Sequence, residues 1–97
     1  GAFSMTQPVP NFHIYVPVGV TKAGRELFRM AVKVIIRKFA DAEKWHNWKD
    51  LFLTAPEVDI QRSFRHHVEK GDPRDVAILC FIMIFRGYWI TKSKEQT

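Results

Sequence analysis

The sequence predicts a mostly α domain of three to four helices around one central apolar helix at about 72–86, with an extended or edge-strand arm at about 12–20. Three observations predict it. The run Val76–Phe85 carries no charge and is apolar on every face, and a helix apolar all round must be covered all round. Two earlier stretches, beginning near Lys22 and near Pro56, repeat apolar residues at the helical period. Only Phe12–Val20 alternates at the strand period, so no second strand is expected to pair with it.

In the arm, Phe12, Ile14, Val16, Val18 and Val20 alternate. Pro17 cannot donate to a ladder, so the arm is expected to pack as coil on the helices rather than to pair with another chain. Thr21 is a candidate N-cap for a helix from about Lys22 to Phe39. Gly24 weakens its first turn. Leu27, Phe28, Ala31, Val32, Val34, Ile35, Ile36 and Phe39 give it a broad apolar face. Ala40–Glu43 is expected to break or bend the chain before a second helix from about Ala42 to Leu53, with one bent helix from Lys22 to Leu53 as the alternative. Thr54 and Glu57 have capping-box spacing around Pro56 and predict a third helix to about Lys70. Gly71 is placed to end it in a left-handed conformation. Asp72, Pro73 and Asp75 then read as N-cap, N1 and N3 of the central helix, and Arg86-Gly87 as its stop.

The chain of 97 residues is one domain: residues 1–5 read as a tag scar and start, 6–90 as the helical domain and 91–97 as a flexible tail. Hydrophobic residues make up 46% and charged residues 26%, a globular balance. Eight Phe and three Trp exceed what so small a core needs, and surplus aromatics mark interfaces. Cys80 is the only cysteine and sits in the apolar run, which fits a reducing, cytoplasmic setting. The N-terminus lacks the pattern of a signal peptide. The apolar run is too short for a membrane span of roughly 20 residues. A net charge of +5 and a pI near 9.7 suit an acidic protein, nucleic acid or an anionic surface.

The first candidate site is a ridge of cations. Arg25, Arg29, Lys33 and Arg37 recur at i+4, where like charges repel, and Arg62 and Arg65 add charge on the third helix. An acidic protein surface is the expected partner, ahead of nucleic acid. The second candidate is an aromatic surface of Trp45, Trp48, Tyr88 and Trp89, suited to a protein hot spot. Adjacent His66 and His67 point about 100° apart and cannot share one metal. Glu69, Asp72 and Asp75 have the residue types for Mg²⁺, but Gly71 and Pro73 interrupt them, and capping accounts for the two aspartates. The turn at Glu69–Pro73 joins two helices, yet the second is apolar and cannot read DNA as a recognition helix.

The segment Phe64–Ala77, with its core His67-x-x-Lys70-Gly71-Asp72-Pro73-x-Asp75-Val76-Ala77, resembles a pattern found in small bacteriophage and prophage proteins. It covers about a quarter of the chain. The resemblance implies a phage accessory protein, of the kind that inhibits host defence or transcription in the host cytoplasm. A more distant likeness is to the MazG-like all-α nucleotide pyrophosphohydrolases, which hold Mg²⁺ with a Glu-Glu-x-x-Glu helix and a Glu-x-x-Asp helix. Only Glu69-x-x-Asp72 matches, and the Glu-Glu-x-x-Glu half is missing.

The expected function is therefore a small, basic, non-enzymatic binding protein without a cofactor. A Mg-dependent nucleotide phosphohydrolase relic and a nucleic-acid-binding module are the alternatives. A lone strand and surplus aromatics also invite a second copy, so a homodimer is expected.

Overall fold

The computed structural model describes residues 15–46 and 50–92, apart from the side chains of Trp45 and His46. Four helices run in order: α1 Lys22–His46, α2 Leu51–Thr54, α3 Glu57–Lys70 and α4 Pro73–Arg86. Among the described residues no strand forms. The mostly α class and the helix count are as expected.

The arm differs from the strand pattern. Residues 12–14 lie outside the described residues, and 15–20 are coil and turn. The Val20 amide donates to the Pro17 carbonyl at 3.1 Å, a tight turn around Val18-Gly19 that halts any ladder. Tyr15 and Val18 are fully in water. Thr21 does cap α1: its hydroxyl accepts from the Gly24 amide at 3.1 Å. Gly24 has a packing role, since a Cβ there would stand 2.9 Å from Cγ1 of Val20.

α1 does not break at Ala40–Glu43. It continues to His46, because Ala40, Ala42 and Glu43 are good helix formers and neither Gly nor Pro interrupts them. The break comes later, where Asp50 takes a left-handed conformation at φ 63° before the single turn of α2. The expected 42–53 helix is thereby divided between the end of α1 and α2.

The Thr54–Glu57 capping box does not form. Thr54 belongs to α2, and the N-cap of α3 is Pro56, which has no side-chain acceptor. Glu57 instead accepts from Nε2 of Gln61 at 3.3 Å. The later caps do form. Gly71 closes α3 at φ 92°, with its amide on the His67 carbonyl at 3.0 Å. Asp72 caps α4, accepting from the Arg74 amide at 2.9 Å, with Pro73 in the first turn. Gly87 ends α4 at φ 79°: its amide reaches Ile84 and the Tyr88 amide reaches Met83, a Schellman pattern.

α4 is central and packs against both α1 and α3. Ile60 of α3 and Ile78, Leu79, Ile82 and Met83 of α4 form the buried core. Ile35 and Phe39 of α1, Phe52 and Ala55 beside α2, Phe64 of α3 and Tyr88 border it. Rings of Phe39, Phe52 and Phe85 meet edge-on with centroids 6.0 Å apart in each step.

The expectation that α4 is covered all round fails. Phe81, Ile84 and Phe85 stand on an uncovered side of it. Two helices flank α4, and the single turn of α2 is too short to close the rest. Leu27, Phe28, Met30, Val34 and Ile36 of α1 are likewise exposed, as are Val58 and Val68 of α3.

Candidate functional site

The predicted cationic ridge is only partly free. Arg25 turns back and donates to the Val20 carbonyl at 3.0 Å, fixing the turn before α1. Arg29 forms a two-pronged ion pair with Glu26, its shorter bond 2.5 Å. That contact raises the Arg29 pKa and holds the Glu26 carboxyl below its ordinary range. Their i to i+3 spacing on α1 brings the two side chains together. Lys33 and Arg37 are exposed and make no close ion pair or hydrogen bond among the described residues, although the Lys33 charge also helps to lower the Glu26 pKa.

The α3 cations are committed to structure. Arg62 pairs with Asp59 at 3.2 Å. Arg65 donates to the backbone carbonyl of Thr91 and to its hydroxyl, the latter at 3.0 Å, and to the Gln61 carbonyl at 3.4 Å. Buried Gln61 completes this clamp. Its Nε2 donates to the Trp89 carbonyl at 2.8 Å and its Oε1 accepts from the Thr91 amide at 3.2 Å. Thr91, expected to open the tail, is therefore tied to α3. Gln61 was visible only as a polar residue in the apolar stripe of the helix.

The aromatic set divides. Trp48 and the Trp45 side chain lie outside the described residues. Trp89 is exposed. Tyr88 is half-buried and structural: its hydroxyl accepts from Nη2 of Arg86 at 2.8 Å, and the guanidinium lies 4.9 Å from its ring centre. Arg86 also donates to the carbonyls of Phe52 and Ala55, at 3.3 and 2.5 Å, and so joins the α2–α3 connection to the end of α4.

The acidic trio does not converge. Among the described residues no three His, Cys, Asp or Glu side chains gather where a metal ion could sit. Glu69 is exposed. Asp72 is occupied by the Arg74 guanidinium at 2.7 and 3.0 Å and by the Arg74 amide, which hold its carboxyl far below the usual carboxylate range. Asp75 turns outward from the cap, to Nζ of Lys38 at 3.7 Å and Nδ1 of His67 at 3.7 Å. The latter is too long for a hydrogen bond, so it is an ion pair only when His67 is protonated. His66 packs edge-on to His67 with centroids 5.3 Å apart. This cluster ties all three long helices together at one end: Lys38 from α1, His67 from α3, Asp72 and Asp75 from α4. Cys80 is half-buried, and burial pushes its thiol pKa up, away from nucleophilic reactivity.

Among the described residues an apolar depression of about 190 Å³ lies between α2, α3 and α4. A further one lies on each flank of α1, and Ile35 lines both. One, of about 290 Å³, lies toward the C-terminal half of α4 and is lined by Ile36, Phe39, Phe52, Ile78, Phe81, Ile82 and Phe85. The other, of about 530 Å³, lies toward the N-terminus of α4, between Leu27, Met30, Ala31 and Val34 of α1 and Pro73, Arg74 and Ala77 of α4, with Glu26 at its edge. Met30 and Val34 stand one helical turn before Lys33 and Arg37 respectively, so the unpaired cations border this second groove.

No protein-family model, curated protein or solved structure matches this chain.

Proposed function

We propose that this chain is a non-enzymatic binding protein that docks on an acidic, partly apolar face of another protein, through the groove between α1 and the start of α4. The observation that carries this reading is the pair of unpaired cations, Lys33 and Arg37, beside an open apolar groove lined by Met30 and Val34. An amphipathic helix with an acidic rim matches such a groove: its apolar face fills the cleft and its carboxylates meet the cations. Nucleic acid is the weaker fit. Nucleic-acid affinity grows with the number of phosphates that free cations neutralise, whereas Arg25 and Arg29 of the ridge, and Arg62 and Arg65 of α3, are already engaged. With the phage-like segment, a host protein is the natural partner to seek.

The test is capture from host extract at moderate salt with the wild type and with the double variant Lys33→Glu/Arg37→Glu. An acidic protein retained by the wild type and lost by the variant supports the reading. Equal capture by both, or DNA or RNA binding with a steep salt dependence, overturns it. Nucleoside triphosphate hydrolysis that Asp72→Asn abolishes would move the function to the hydrolase alternative.

A further inference from the structure

We propose that the opposite flank of α1, with the uncovered side of α4, is an interface with a second copy of this chain. Phe81, Ile84 and Phe85 fall at i, i+3 and i+4 on α4 and are 48, 75 and 68% exposed, with Ile36 of α1 beside them at 46%. Together they leave roughly 450 Å² of apolar surface in water, counting about 200 Å² for a whole large side chain. A standard interface covers roughly 800 Å² per partner, a little over half of it apolar, so this one patch supplies about the apolar share a stable dimer needs.

Charge decides for a second copy over a foreign acidic partner on this flank. From Val76 to Phe85, α4 carries no charged side chain, and neither do the residues lining the adjoining 290 Å³ groove. A chain of net charge +5 would be repelled by its own copy at the Lys33–Arg37 flank, but not here. Protruding side chains and a groove also lie side by side on this face. The protruding Phe85 and Ile84 lie beside a groove of their own chemistry, and an isologous contact places each knob opposite the other copy's groove.

Sedimentation equilibrium of the full chain tests this without any partner protein, so its outcome is independent of the docking reading above. The expected result is a mass of twice 11.4 kDa at high concentration. Ile84→Glu and Phe85→Glu, which set like charges face to face across the two-fold axis, are each expected to return a monomer with an unchanged helical circular-dichroism signal. Ile84→Cys in a Cys80→Ser background is expected to cross-link as a dimer under mild oxidation. A monomer at every concentration leaves this face to another partner and overturns the proposal. So does a dimer, or a larger assembly, that survives both glutamate substitutions.

Discussion

Met83 and Ile84 are neighbours on α4 and opposites in environment: Met83 is 2% exposed and Ile84 75%. The same contrast runs along the helix. Ile78, Leu79, Ile82 and Met83 are buried against α1 and α3, while Phe81, Ile84 and Phe85 leave about half or more of their surface in water. Nothing in the chemistry of the two sets separates them. Two flanking helices cover one side of a cylinder, and the apolar residues of the other side keep their demand for a cover. The difference teaches that an apolar helix states how much surface must be buried, not which molecule buries it.

Truncating each face tests the contrast. Met83→Ala is expected to destabilise the fold by about 2–5 kcal/mol, the range for emptying a filled core position, read from denaturant unfolding. Ile84→Ala should cost less than about 0.5 kcal/mol in dilute protein, with the cost growing as concentration rises if two copies pair there. Equal costs in dilute protein would erase the distinction between the faces.

The next effect concerns the segments around the core. Arg86→Met removes the charged donor to the Phe52 and Ala55 carbonyls and to Tyr88. It is expected to cost about 1.5–3 kcal/mol, the range for hydrogen bonds to charged groups. Hydrogen exchange should speed up first in Leu51–Ala55, ahead of α3. Exchange that accelerates evenly along the chain would show that Arg86 does not act locally.

The smallest expected effect lies at the start of α4. Arg74 holds the Asp72 carboxyl below the ordinary carboxylate range, so the folded chain binds this proton more weakly than the unfolded chain. Its stabilisation is therefore fully present above the unfolded carboxylate pKa of about 3.9 and fades as pH falls below it. Asp72→Asn keeps a capping side chain but loses the charge. Its melting temperature should fall a few degrees below wild type at neutral pH, and the gap should close in acid. A gap that persists in acid would assign the effect to cap geometry and not to charge.

Legibility followed range. The caps of α4, the glycine stop of α3 and the Thr21 cap of α1 were readable because each is settled within four residues. The Thr54 cap was misread because its hydroxyl had to serve α3 while its backbone was already in α2. The break at Ala40–Glu43 was misread because a change of composition is not a helix stop where Ala40, Ala42 and Glu43 favour the helix and neither Gly nor Pro interrupts it. Of the cation ridge, spacing gave the alignment, but a single Glu26 and one backbone carbonyl removed half of it.

The sequence by itself determined that this chain is a small helical domain with α4 as its apolar axis, because helical period, capping residues and charge distribution are written locally. Only the tertiary structure decided which side of α4 became core, which cations stayed free, and where two grooves opened along α1. Those outcomes depend on how few helices were available to surround one that is apolar on every face. Burial is a property of the assembled surfaces and not of any one segment.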